Sequence, residues 1–126
     1  KKGKVIGEYP VGNSPYTYSD MTGYTLFNYT MPKGYWISAH RKKADASKHA
    51  AYVKIAIPAI EKAGGRFLVK GGDSVAKENG LMERTVVIEF PSYEDAKKAY
   101  DSADYKMALK ELEGGADRDL RIVEGV

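Results

Sequence analysis

The pattern of apolar and polar positions predicts a chain of short strands and helices. The clearest strand signal is the segment 84–90, where β-branched and aromatic residues follow one another without a glycine before Pro91 ends the run. Alternate side chains of this segment, Val86, Ile88 and Phe90, form a wholly apolar face, whereas the intervening ones form a mixed face. We therefore interpret it as the central strand of a sheet with helices on its apolar face.

The same pattern predicts three more strands and two helical regions. The other strands are expected at 34–40, 66–70 and 119–124. The first helix is expected over 45–63, with Asp45 as its N-cap and an apolar stripe at three- and four-residue steps. Pro58 lies inside this helix and predicts a kink or a break there. The second helical region is expected from 93 to about 101 and, after Ser102, over 103–112.

The order of these elements is strand, helix, strand, strand, helix, strand. Right-handed crossovers then favour an α+β, ferredoxin-like βαββαβ fold, in which a four-stranded antiparallel sheet of order 4-1-3-2 carries the helices on one face. The side chains expected to face the helices are Tyr35, Ile37, Ala39, Phe67, Val69, Val86, Ile88, Phe90, Leu120 and Ile122. Those expected on the reverse face are Trp36, Ser38, His40, Arg66, Leu68, Lys70, Thr85, Val87, Glu89, Arg121 and Val123. A face this mixed predicts a homodimer, with a second copy packed over it and a cavity between.

Composition excludes several classes of protein. Hydrophobic content of 43% and charged content of 29% are ordinary for one globular domain. The net charge is +3, and residues 34–126 carry sixteen basic and fifteen acidic side chains, so we expect no nucleic-acid partner. The chain has no cysteine and two histidines, which argues against a metal site, and we expect no cofactor. No apolar run is long enough to span a membrane. We expect a soluble protein, cytoplasmic, or organellar if the N-terminus is a processed one.

Residues 1–32 differ in composition from the rest, because they are rich in Tyr, Gly and Pro and poor in aliphatic residues. We divide the chain into this N-terminal arm or extension and a domain over 33–126. One interpretation of the arm is a solvated tail or an appended tag. The other is a docking arm, since tyrosines suit packing on a protein surface.

Seven side chains of the reverse face are candidate ligand-binding residues: Trp36, Ser38, His40, Arg66, Thr85, Glu89 and Arg121. At one end, Arg66 and Glu89 beside Trp36 could bind a small polar ligand, or Glu89 could act as a base if desolvated. The alternative is a cross-strand ion pair that fixes the sheet register. At the other end, His40 near Thr85 could supply a general base, although an exposed histidine is the commoner case.

Four side chains on the helices also have two interpretations. His49 belongs to the apolar stripe of the first helix and is expected to be a hydrogen-bonded core residue. Tyr52, Tyr100 and Tyr105 either rim a pocket with their hydroxyls or are core aromatics with one end in water. No catalytic motif stands out, so the sequence leaves open whether the protein is an enzyme.

Five sequence blocks in order resemble the domain of unknown function 1330 family over residues 33–126. They are Gly34-Tyr-Trp-Ile37, Gly64-Gly-Arg-Phe-Leu-Val69 with Gly71-Gly72, Val86-Val-Ile-Glu-Phe-Pro-Ser92, the spacing of Tyr100, Ser102 and Tyr105, and Val123-Glu-Gly125. That family is similar to the dimeric α/β-barrel superfamily. The resemblance implies two ferredoxin-like sheets paired face to face, with a small ligand held between a sheet and its helices or partner. It implies no common reaction and carries over no catalytic residue.

Two functions follow as hypotheses. The first is a homodimeric, small-molecule-binding α/β-barrel protein with its cavity on the sheet face. The second is a non-catalytic accessory or assembly subunit of a larger complex, which could be organellar, docked through residues 1–32.

Overall fold

The computed structural model describes residues 31–126. Residues 1–30, nearly all of the predicted N-terminal arm, lie outside the described residues, so its role in docking stays a prediction. The described chain forms four strands and three helices. They are β1 (Gly34–His40), α1 (Ala46–Lys62), β2 (Arg66–Lys70), β3 (Thr85–Phe90), α2 (Tyr93–Tyr100), α3 (Ala103–Leu112) and β4 (Arg118–Glu124).

The four strands form one antiparallel sheet of order β2-β3-β1-β4, which confirms the predicted ferredoxin-like fold. The order is the predicted 4-1-3-2 counted from the other edge. The central strand is β3 with β1 beside it, and β1 pairs with both β3 and β4. The two sequence-separated βαβ halves therefore interleave, and the helices cover a single face.

Side-chain caps begin each helix where the sequence predicts. The Asp45 carboxylate accepts a hydrogen bond from the Lys48 amide at 2.9 Å, and the Ser92 hydroxyl accepts one from the Asp95 amide at 3.1 Å. Ser102 separates α2 from α3, because its hydroxyl accepts from the Tyr105 amide. Of the two predictions for Pro58, a kink or a break, the break does not occur: α1 is one helix through that residue, since losing a single backbone donor does not outweigh the packing of the whole apolar face.

The face assignment of β1 is the main correction. Trp36, Ser38 and His40 were expected on the reverse face, but they are buried on the helix side. The register requires this, because Trp36 lies opposite Ile88 and residues opposite each other in a sheet share a face. Tyr35, Ile37 and Ala39, expected inside, lie instead on the open face of the sheet.

An irregularity in β2 produces a second correction. Between Phe67 and Val69, β2 advances two residues while β3 advances one, which is the signature of a β-bulge. Val69 therefore leaves the helix side, where it was expected, and is 42% exposed. Lys70 was expected on the reverse face, but it lies opposite Val86, on the side of the helices.

The core fills the space between the sheet and the helices, and aromatic rings dominate it. Trp36, Phe90 and Tyr105 are its largest fully buried side chains. The Trp36 ring centroid lies 5.1 Å from that of Phe90 and 4.9 Å from that of Tyr105. The Trp36 indole N–H donates to the Ala96 carbonyl on α2 at 2.7 Å, so the polar end of this buried side chain has a partner.

Candidate functional site: a cavity between the sheet and helix α1

A cavity of about 50 Å³ remains inside this layer, between the inner face of the sheet and α1. It has several times the volume that one water molecule needs. Its apolar wall includes Val53, Ile57 and Phe67. Its opposite wall is polar. A mostly apolar lining with a few polar groups is typical of small-molecule sites.

The polar wall is built by two neighbouring strands. His40 of β1 lies opposite Arg118 of β4, and Ser38 lies opposite Leu120, one inward-facing position further along. All four side chains line the cavity. Ser38 is 5% exposed, and its hydroxyl has no hydrogen-bond partner among the described residues. Because buried hydroxyls are nearly always hydrogen-bonded, this atom marks a position where a ligand or water would bind.

Two tyrosines connect the polar wall to the helices. The Tyr52 and Tyr105 hydroxyls, from α1 and α3, are hydrogen-bonded at 2.7 Å, and either can be the donor. Arg118 donates from Nη1 to the Tyr52 hydroxyl at 3.2 Å, and its guanidinium carbon lies 5.2 Å from the centre of the Tyr52 ring. Burial, with Tyr52 close by, raises the pKa of Tyr105 far above its usual range, so this phenol stays protonated and available as a donor.

Two histidines stand where the cavity meets the surface. The His40 and His49 ring centroids are 5.8 Å apart. Burial, then the positive charges of Arg118, His49 and Arg84, lowers the pKa of His40. Burial, then Arg84 and Arg118, lowers that of His49. Both imidazoles are therefore neutral near pH 7, with one nitrogen free to accept a hydrogen bond. His40, His49 and Arg84 also line a wider surface pocket of about 240 Å³, and because the two pockets share these residues we infer that the wider one is the entrance to the cavity.

The open face of the sheet carries a separate polar cluster. Arg66 donates from Nη2 to Glu89 Oε1 at 3.0 Å, and the Tyr35 hydroxyl donates to Oε2 at 3.2 Å. The hydrogen bond from Arg66 outweighs partial burial and lowers the pKa of Glu89. This carboxylate is therefore held ionised rather than poised as a base, which favours the interpretation as a cross-strand ion pair.

The seven predicted site residues thus divide between the two faces of the sheet. Three lie at or beside the cavity, on the helix side: Trp36, Ser38 and His40. Four lie on the open face: Arg66, Thr85, Glu89 and Arg121. The expected grouping of Trp36 with Arg66 and Glu89 is wrong, because the sheet itself lies between them. The Thr85 hydroxyl donates locally, to the Glu83 carbonyl at 3.3 Å.

Arg118 and His49 line the cavity but were not among the predicted site residues. Arg118 was placed before the last strand, yet β4 begins with it, and it shares the inward face with Leu120 and Ile122. The two-residue spacing of 118, 120 and 122 was the signal that could have found it. His49 was expected to be a hydrogen-bonded core residue, and it lies instead half-buried at the entrance. Tyr52 and Tyr105 are core aromatics that also line the cavity, but the expected end in water is wrong for Tyr105, which is 1% exposed and hydrogen-bonded to Tyr52.

The described part of the chain offers no cluster of three or more His, Cys, Asp or Glu side chains placed to hold a metal ion. Within that same part, no helix is both long enough and apolar enough to cross a membrane.

The fold is shared with proteins of known structure. RPA0582, a protein of unknown function from Rhodopseudomonas palustris, is 18% identical, with a TM-score of 0.59; the match covers 75% of this chain and 83% of that one. A "putative antibiotic biosynthesis monooxygenase" from Caulobacter crescentus CB15 is 15% identical, with a TM-score of 0.50 and coverage of 78% and 93%. At such identities the likeness shows the fold alone. No curated protein matches the chain.

The family described as "Domain of unknown function (DUF1330)" matches residues 33–126, which include every strand and helix described above. The chain belongs to this family.

Proposed function

We propose that this protein binds a small molecule in the cavity between its sheet and helix α1. One observation carries the proposal: a buried hydroxyl without a described partner, that of Ser38, lies in the wall of a cavity that opens to the surface past His40 and His49. A packed core normally leaves neither a void of this size nor an unsatisfied polar atom. A bound ligand accounts for both. The site differs from the one expected from sequence, which lay on the open face.

A fluorescent reporter is built into the site. Trp36 is the single tryptophan of the chain and lines the cavity. A panel of small aromatic and aliphatic compounds, neutral and charged, can therefore be titrated into the full chain while Trp36 emission is followed. We expect some of these compounds to change the emission in a saturable way.

Two matched variants test whether such binding occurs in the cavity. Ile57 and Ile55 are both half-buried residues of α1, but only Ile57 lines the cavity, whereas Ile55 lies towards α3. Ile57→Phe fills the cavity, so it should abolish binding, and Ile55→Phe adds the same volume elsewhere and should preserve it. Binding that survives in both variants would place the ligand outside the cavity and contradict the proposal.

We further propose that the protein is a homodimer that covers the open face of its sheet. Val69 is 42% exposed there, and Ile37 and Val123 are exposed as well. A monomer that leaves a row of aliphatic side chains in water along one sheet face presents a surface suited to association. The ion pairs Arg66–Glu89 and Arg121–Asp119 on this face would set the orientation of the second copy.

A further inference from the structure

The charged side chains that line the inner cavity itself are all positive. Lys70, Arg84 and Arg118 line it, and within residues 31–126 no aspartate or glutamate does. The entrance pocket adds the two neutral histidines and one further pair of charged residues, Lys43 and Glu83, whose charges offset each other. A cavity with low-dielectric walls concentrates the positive potential of such groups, so it attracts anions over neutral molecules of the same shape.

The five arginines of the chain differ in whether a carboxylate lies beside them. The three outside the cavity each contact a carboxylate: Arg41 with Asp117 at 3.0 Å, Arg66 with Glu89 at 3.0 Å and Arg121 with Asp119 at 3.1 Å. The two that line the cavity, Arg84 and Arg118, have no carboxylate of the described residues within 4.0 Å. Arg118 is the more enclosed, since it is half-buried, and its described side-chain partners are the neutral hydroxyls of the Tyr52–Tyr105 pair. Removing a guanidinium from water without a counter-charge is unfavourable, so the lack of a carboxylate partner within residues 31–126 favours a bound anion in that role.

Three polar side chains occupy neighbouring inward-facing positions of the cavity wall, where such an anion could bind. Arg118 lies opposite His40 in the sheet, and Ser38 is the next inward-facing residue of the same strand. The planar guanidinium matches the two oxygens of a carboxylate, and the serine hydroxyl can donate to one of them. His40, neutral and in either tautomer, can donate from one ring nitrogen.

We infer that the ligand is a small carboxylate, with its acid group held by Arg118 and Ser38 beside His40 and its apolar part against Val53, Ile57 and Phe67. The inference rests on the proposed function and makes it specific. The single acid-binding corner and the apolar opposite wall together favour a compound with one carboxylate and a short hydrocarbon body.

Paired compounds test the charge requirement. Acetate and butyrate are compared with acetamide and butyramide, their neutral counterparts of nearly the same shape, by titration into the full chain while Trp36 fluorescence is followed. We expect each carboxylate to bind roughly tenfold or more tightly than its amide, the usual advantage of a charge-assisted hydrogen-bonded pair over a neutral one. Equal affinity, or no response to either carboxylate, would overturn the inference. Binding of the amides alone would leave small-molecule binding in the cavity standing.

Two substitutions in β4 test whether Arg118 is the residue that binds the acid group. Arg118→Gln keeps a donor near Tyr52 but removes the charge, and it should weaken carboxylate binding about tenfold or more while leaving amide binding unchanged. Arg121→Gln is the control, because Arg121 belongs to the same strand but lies on the opposite face and is paired with Asp119. If both variants bind carboxylates like the unaltered chain, Arg118 is not the anchor and the inference fails.

Ser38→Ala keeps the inference testable should Arg118→Gln fail to fold. The change removes one atom and leaves no new cavity of consequence. We expect it to weaken carboxylate binding roughly three- to tenfold, and at the same time to leave the melting temperature of the free protein unchanged or higher, since a buried hydroxyl without a partner is lost. Lower stability with unchanged affinity would show a purely structural role and contradict the assignment.

Discussion

At the scale of single residues, Trp36 shows where sequence patterns stop being informative. In β1 the alternative faces read Tyr-Ile-Ala and Trp-Ser-His, and mean polarity favours burying the first set. The structure buries the second, because the indole gains both aromatic neighbours and a hydrogen bond to Ala96. Which face is inside depends on what the partner strands and α2 present, and no property of β1 alone contains that information.

This account predicts that Trp36→Phe is costly. The change shortens a fully buried side chain and removes the donor to the Ala96 carbonyl, so we expect the free energy of unfolding to fall by about 2 kcal/mol. Urea denaturation followed by circular dichroism measures it. Tyr35→Phe is the control from the opposite face and should cost less than about 1 kcal/mol, since it removes only a part-exposed hydrogen bond to Glu89. A larger loss for Tyr35→Phe would mean that the faces are reversed.

The two entrance histidines predict a pH dependence of stability. His40 lies against Arg118, His49 and Arg84, and its pKa is lowered, as is that of His49. Above the ordinary histidine pKa of about 6.5 both states are neutral and there is no effect. As the pH falls below that value, the unfolded chain takes up protons that the folded chain does not, so stability decreases towards the lowered folded pKa.

Melting temperatures measured between pH 7.5 and 5, about one unit to either side of the ordinary histidine pKa, test this dependence. We expect a decline that sets in near pH 6.5 and is reduced in the double variant His40→Gln, His49→Gln. The same slope in the double variant would assign the decline to other groups.

At the scale of elements, the sequence predicted where each helix and strand lies and the order of the strands in the sheet. Caps at Asp45, Ser92 and Ser102 begin the three helices, and strand order followed from connection handedness. The bulge at Leu68 could not be predicted, since an extra residue in β2 has meaning only against its pairing with β3. It matters for the site, because it turns Lys70 to the side of the cavity.

Ser102 is the element-scale test. Its hydroxyl accepts from the Tyr105 amide at 3.2 Å and donates to the Ala99 carbonyl at 2.9 Å, so it caps α3 and satisfies the end of α2. Ser102→Ala should lower the free energy of unfolding by about 1 kcal/mol, whereas Ser102→Thr should cost only a few tenths. Chemical denaturation measures the free energy of unfolding of both variants. An equal loss in the two would argue against a capping role.

At the scale of the whole molecule, the sheet separates two surfaces with different expected tasks. The helix side encloses a cavity with cationic groups, and the open side carries aliphatic residues among ion pairs. The sequence indicated a cavity and a pairing surface but assigned both to one face. Sorting them required the register of β1, which is a property of the assembled sheet.

The proposed dimer predicts a sharp response to charge on the open face. Ile37→Lys places an ammonium at the middle of that face, opposite Val87 and Arg121, and should shift the protein from dimer to monomer by desolvation and repulsion. Met107→Lys is the control, because Met107 is an exposed residue of α3, remote from that face. Sedimentation velocity over a range of concentrations measures both. If the protein without substitutions already sediments as a monomer, the proposal is contradicted.

The most direct test of the central claim is a methyl NMR titration of the full chain with butyrate. Val53, Ile57 and Leu120 place methyl groups around the cavity, whereas Val69 and Val123 expose theirs on the other side of the sheet. The account predicts saturable shifts for the first set and none for the second. Shifts confined to the open-face methyl groups would contradict it, because the ligand would then bind on the face from which Ser38, His40 and Arg118 are turned away.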